Sequence, residues 1–209
     1  MSTKKPKPSI VYWMNDVLYL NITNKCSSSC YFCFKKFKSG IRDFNLKLET
    51  EPTADEVIRE LKSMIHRKNW KEVAFCGFGE PLTRLDTVLE VTRWVKNSAW
   101  KKARVDTNGH GYLLNKGRNV IQELKEAGVE KVSVSLNAHN KATYNEVCKP
   151  AFEDAFENVV EFIKKAKEAG LETEATAVTI PEIEITKVKE LAERSGAKFA
   201  ARQYIPFFW

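Results

Sequence analysis

A chain of 209 residues, 43% hydrophobic and 29% charged, is long enough for one domain with a substantial core, and its composition excludes a low-complexity or collagen-like polymer. There is no run of about 18 apolar residues and no apolar stretch after the lysines of the first nine residues, so no helical span or secretory leader is expected and the chain is read as cytoplasmic. The net charge of +7 is spread along the chain among glutamates, the pattern of solvated helix faces; nucleic acid is not excluded, and one local basic stretch stands out at Lys35, Lys36, Lys38, Arg42 and Lys47.

Residues 1–12 read as a flexible basic leader and 13–209 as a single domain. The first strand is expected from Val17 to Thr23. Thr53 and Glu56 then form a capping box for a helix that carries Val57, Ile58, Leu61, Met64 and Ile65 on one face. Val73 to Cys76 reads as a strand, Leu85, Val88, Leu89 and Val95 as a helix, Ala103 to Thr107 as a strand, and Val120, Ile121 and Leu124 as a helix stopping at Gly128. The unit then recurs. Strands are expected at Val132 to Leu136, Thr173 to Val178 and Phe199 to Tyr204, with helices around Val159 and Val188 that stop at Gly170 and Gly196. Six strands alternating with five helices imply parallel strands joined by right-handed crossovers. Eight such units would close a barrel; six make a partial barrel or a doubly wound sheet, and ligands then bind at the carboxyl ends of the strands.

Those strand ends carry the informative residues. Cys26, Cys30 and Cys33 form C-x3-C-x2-C in CSSSCYFC, directly after the first strand. A [4Fe–4S] cluster normally takes four thiolates, so three leave one iron open to another ligand. Structural zinc wants four ligands, and no fourth Cys or His lies nearby in sequence. Phe75 to Pro81 (FCGFGEP) follows the second strand, where glycines let a ligand approach the backbone. Asp106-Thr107-Asn108-Gly109 follows the third, and an Asn-Gly turn alone would explain its second half. Ser133, Ser135 and Asn137 alternate with Val132, Val134 and Leu136, which gives the fourth strand one polar face. Cys76 and Cys148 read as buried, inert thiols, and the three histidines show no ligand spacing.

CSSSCYFC resembles the cluster loop of the radical SAM superfamily, C-x3-C-x-aromatic-C, and the resemblance runs from about Val17 to Tyr204. It implies a six-unit partial (β/α)6 barrel, a [4Fe–4S] cluster on Cys26, Cys30 and Cys33, and S-adenosylmethionine chelated to the open iron. Phe32 stands at the aromatic position that packs near the adenine. Gly77, Gly79, Glu80 and Pro81 match the GGEP segment that binds the methionine amino group, with Phe78 replacing a glycine. Asp106 and Asn108 match the DTNG of glycyl-radical-enzyme activases, with a ribose, a carboxylate or a cation as the contact. Ser135 and Asn137 match ribose-contacting positions. The run SLNAHNKATYNEVCKP is most similar to radical SAM proteins associated with TatD-type nucleases. The chemistry implied is reductive cleavage of S-adenosylmethionine to a 5′-deoxyadenosyl radical, fed by an external reductant of the flavodoxin or ferredoxin type. The apolar run Ile205 to Trp209 and the basic stretch lead to the expectation of a protein or peptide substrate that completes the site. The rival reading is a non-catalytic iron–sulfur or zinc module for electron transfer or assembly, which leaves the segments at Gly77 and Asp106 without a purpose.

Overall fold

The computed structural model describes residues 7–204. In chain order its elements are β1 (Val11–Met14), β2 (Val17–Leu20), β3 (Gly40–Ile41), β4 (Phe44–Asn45), α1 (Ala54–Met64), β5 (Glu72–Phe75), α2 (Leu85–Trp94), β6 (Lys102–Thr107), α3 (Gly111–Leu114), α4 (Val120–Ala127), β7 (Val129–Ser135), α5 (Lys141–Cys148), α6 (Ala155–Glu168), β8 (Glu172–Thr179), α7 (Ile185–Arg194) and β9 (Lys198–Gln203). One sheet runs β1-β2-β5-β6-β7-β8-β9. Its last six strands are parallel and β1 is antiparallel to β2. The fold is the partial barrel implied by the family resemblance, one of the two arrangements the alternation left open: a curled half-barrel with helices on its outer face.

The local signals explain most of this. Thr53 Oγ1 accepts from the Glu56 N–H at 3.2 Å while Glu56 Oε2 accepts from the Thr53 N–H at 2.8 Å, a reciprocal cap that starts α1. Gly128 closes α4 at φ 104°, a conformation that a Cβ would strain. The sheet also reaches back into the segment read as a leader: Val11 and Tyr12 are buried in β1. The cause is the tight turn at Asn15-Asp16, with Asn15 at φ 51°, which folds β1 onto β2 as a hairpin. Val95, expected in the second helix, belongs instead to a wider turn that follows α2 and ends at Trp100 in a left-handed conformation.

The two faces of the sheet differ sharply. Val73, Phe75, Val105, Val132, Val134 and Ala175 face the helices and are fully buried. The lumen face alternates with them and is charged. Arg104 pairs with Glu72 and, at 2.8 Å, with Asp106. Lys131 lies 3.5 Å from Glu172 and 3.1 Å from Glu174, and Lys102 also pairs with Glu172. Both faces of a parallel strand are usually apolar; here opposite charges on neighbouring strands neutralise one another, which offsets their desolvation.

Candidate active site

The cysteine loop leaves β2 at Asn21, a fully buried residue whose side chain ties three segments together. Its Nδ2 donates to Ser9 O at 3.0 Å and Leu46 O at 2.8 Å, and its Oδ1 accepts from the Phe78 N–H at 2.9 Å. Further along, the loop is laced to the end of α5. Ser29 N–H donates to Cys148 O (3.0 Å), Tyr31 N–H to Val147 O (3.2 Å) and Ala151 N–H to Ser27 O (2.8 Å). This lacing turns Cys26, Cys30 and Cys33 toward one cavity of about 540 Å³ at the carboxyl ends of the strands. Burial pushes the Cys26 thiol up to about 11 and raises Cys33 as well. Cys148, hydrogen-bonded to Cys30, lowers Cys30 and is itself raised. Phe32 lines the same cavity, edge-on to Tyr31 at 5.6 Å.

The FCGFGEP segment forms the opposite wall. A Cβ on Gly77 would lie 2.3 Å from Asn21 Oδ1, and one on Gly79 2.3 Å from Lys25 O. Only glycine lets this segment press against the start of the cysteine loop. Glu80 is 3% exposed and bridges two strand ends. Its Oε1 accepts from the Leu82 N–H (3.0 Å) and Thr107 Oγ1 (2.8 Å), and its Oε2 from the Asn108 N–H (2.6 Å). Burial outweighs these donors and raises the carboxyl to about 7. Oε2 accepts the one bond from Asn108, and a carboxylate oxygen can accept a second. Of the residues matched to cluster- or cofactor-binding positions, Pro81 alone does not line the cavity. It is buried at the first position of the short helical turn Pro81–Arg84, where its missing N–H costs nothing.

Asp106, Asn108, Ser135 and Asn137 all line the cavity, but their side chains are engaged differently from one another. Asp106 is held by Arg104. Asn108 Nδ2 donates to Ser27 Oγ at 2.9 Å and reaches Cys26 Sγ at 3.9 Å. Asn137 sits at φ 55° and its Nδ2 donates to Cys148 Sγ at 3.6 Å. Cys76 and Cys148, read as inert, also line the cavity; burial pushes Cys76 up to about 12, so its thiol is neutral. The sequence reading missed Asn21, and it missed Ser27, His110 and Tyr144, three residues joined only in space. It also missed Arg202, Gln203 and Tyr204, which close the cavity on the β9 side.

The donor set fits an iron–sulfur cluster. A cluster presents separate iron corners, each taking one thiolate, and three thiols around one cavity suit that. Among the described residues, no helix is long and apolar enough to cross a membrane.

Comparison with known proteins agrees with this geometry. A probable GTP 3′,8-cyclase from Methanocaldococcus jannaschii is 30% identical over 192 residues, 90% of this chain and 59% of that protein. A GTP 3′,8-cyclase from Aliarcobacter butzleri is 28% identical over 92% of this chain and 55% of its own length. The chain thus spans under two thirds of these relatives. SuiB of Streptococcus suis bound to S-adenosylmethionine superposes with a TM-score of 0.71 at 17% identity, covering 92% of this chain and 41% of that one. TYW1 with a lysine-pyruvate adduct gives 0.66, also at 17% identity, over 93% of this chain and 66% of that one. At such identities the likeness is one of fold. Residues 20–194 match the Radical SAM superfamily, whose members are enzymes using a [4Fe–4S] cluster and S-adenosylmethionine. With the match spanning most of the chain and the cysteine loop within it, this chain belongs to the radical SAM superfamily.

Proposed function

We propose that Cys26, Cys30 and Cys33 hold the cluster and that S-adenosylmethionine lies between it and the wall formed by Gly77, Gly79 and Glu80. The observation that carries this reading is the opening of all three thiols into the one cavity that Glu80, Asn108, Ser135 and Asn137 also line. When bound, these cofactors supply a 5′-deoxyadenosyl radical, made by one-electron cleavage of a C–S bond, that takes a hydrogen atom from the substrate. The chain's own residues bind and orient. The glycines bare the backbone to the methionine end, the remaining Glu80 lone pair accepts from its ammonium group, and Phe32 offers a ring face to the adenine. The lacing of the loop to α5 keeps the three sulfurs in register.

For the substrate, the cations Lys35, Lys38 and Arg202 on the cavity wall support a phosphorylated small molecule. The relatives' name makes GTP the first to test. The sequence led instead to a protein or peptide; half of that argument, Ile205 to Trp209, lies outside the described residues, and the other half, the basic stretch, puts Lys35 and Lys38 on the cavity. The test is anaerobic reconstitution with iron and sulfide, then dithionite and S-adenosylmethionine. 5′-Deoxyadenosine is the expected product, formed faster with GTP present. A reconstituted cluster that leaves S-adenosylmethionine intact would support the electron-transfer module instead.

A further inference from the structure

Behind Cys26 runs a buried hydrogen-bond chain that binding S-adenosylmethionine does not call on. His110 is 0% exposed and follows the Asn108-Gly109 turn. Its Nδ1 lies 2.8 Å from Ser27 Oγ and its Nε2 2.8 Å from Tyr144 Oη. Ser27 Oγ in turn accepts from Asn108 Nδ2 at 2.9 Å. The ring packs edge-on to Tyr144 and Phe152, with centroids 6.2 and 5.9 Å away. Burial drives the imidazole down to about 4, so the ring is a neutral link.

This chain decides which way the Asn108 amide faces. Its Oδ1 accepts from the His110 N–H at 3.0 Å. The oxygen end is thereby turned away, and the NH2 end is the one that meets Ser27 Oγ and, at 3.9 Å, Cys26 Sγ. His110 therefore holds the amide at both ends, through its main chain and through its ring. Gly109, at φ 82°, makes the turn that brings the two residues together; a Cβ there would sit 3.1 Å from both Val134 and Val159.

We propose that Asn108 donates its amide N–H to the Cys26 sulfur, and that His110, Ser27 and Tyr144 are the positioning residues that aim it, making the cluster easier to reduce. The inference rests on Cys26 being a cluster ligand. Adding an electron raises the negative charge on the cluster and its thiolate sulfurs. A donor to sulfur stabilises that state more than the oxidised one, and hydrogen bonds to sulfur are among the factors that set cluster potentials.

The experiment is a redox titration of the reconstituted protein, read by the electron paramagnetic resonance of the reduced cluster at fixed ambient potential, with iron counted per chain. Ser27→Ala and Tyr144→Phe each remove one hydroxyl, and His110→Leu removes both ring bonds. Iron content is expected to hold in all three. The ratio of reduced to oxidised cluster is expected to fall roughly three- to tenfold in Ser27→Ala and His110→Leu, the scale of one hydrogen bond, and less in Tyr144→Phe. His110→Gln, which keeps a donor and an acceptor, is expected to recover part of the loss. Should His110→Leu fail to fold, the single-hydroxyl variants decide. An unchanged ratio in an iron-replete Ser27→Ala protein overturns the proposal. Full iron in Cys26→Ala would overturn the ligand assignment beneath it, a result recognisable apart from the first.

Discussion

Two buried titratable groups near the cavity drive stability in opposite directions with pH, and separating them tests the account of both. Glu80 is raised by burial from 4.5 to about 7. In that window the folded state holds a proton the unfolded state has released, so its contribution is fully present below pH 4.5 and is lost as pH rises through about 7. His110 is lowered by burial from 6.5 to about 4. There the unfolded state holds the extra proton, so stability is lost as pH falls from 6.5 toward 4. Each slope is about 1.4 kcal/mol per pH unit. Between pH 4.5 and 6.5 the two nearly cancel in the wild type. Glu80→Gln removes the first term and leaves the second, so its stability should climb by about 2–3 kcal/mol across that interval. The glutamine NH2 must also face one of the donors now served by the carboxylate, the Asn108 N–H or the Leu82 and Thr107 pair, at a cost of about 1–3 kcal/mol. The variant should thus be clearly weaker than wild type near pH 5 and close to it near pH 8, where relief of the buried charge offsets the lost bond. Urea unfolding of cluster-free protein at several pH values measures this. Parallel profiles for the two proteins would refute the burial argument for Glu80.

The remaining expectations address ligation and close packing. Cys26→Ala, Cys30→Ala and Cys33→Ala should each lose the cluster on reconstitution, while Cys76→Ala and Cys148→Ala retain it; iron content and the visible sulfur-to-iron absorption report this, and normal iron in Cys30→Ala would sink the assignment. Gly79→Ala puts a methyl 2.3 Å from Lys25 O and 2.8 Å from Thr23 O, so it should cost at least about 1–3 kcal/mol in urea unfolding. Gly170→Ala, where a Cβ meets nothing within 4 Å, should cost only the roughly 1 kcal/mol of a left-handed alanine, and equal costs would contradict the packing argument. Asn137→Ala should keep the cluster and weaken S-adenosylmethionine roughly tenfold, as expected for one lost polar contact; an unchanged cofactor titration of the reduced cluster's resonance would count against it.

What could be read from the sequence follows the range of each interaction. Three thiols on one loop are a local pattern, so C-x3-C-x2-C picked out directly the three cysteines that the structure turns toward one cavity and that are proposed above as cluster ligands. The strand ends were placed well because alternation and caps are also local. What Glu80 holds was not legible: its partners Thr107 and Asn108 lie 27 and 28 residues away and arrive only when β5 and β6 pair. Asn21, Ser27, His110 and Tyr144 carry no spacing signal at all, since a buried neutral histidine between two hydroxyls looks like any histidine in sequence. The charged lumen was different. Lys102-Arg104-Asp106, Lys131-Ser133-Ser135 and Glu172-Glu174-Thr176 each alternate at period 2, and Lys131 stands opposite Glu172 in the register of β7 and β8, yet only the middle run was read as polar. That pairing bears on the proposed chemistry. Lys102, Arg104 and Lys131 are already matched to Glu72, Asp106, Glu172 and Glu174 within the lumen. Drawing one of them onto a substrate phosphate would break an ion pair already made within the lumen. Arg202 is placed otherwise: it lines the cavity, is exposed, and gives one N–H to Ser133 Oγ at 3.1 Å, which leaves further donors of its fork for an incoming anion. On the reading proposed above, a phosphorylated substrate is therefore gripped at Arg202 and the basic rim of the cavity, and its carbon skeleton lies inward, toward the S-adenosylmethionine side.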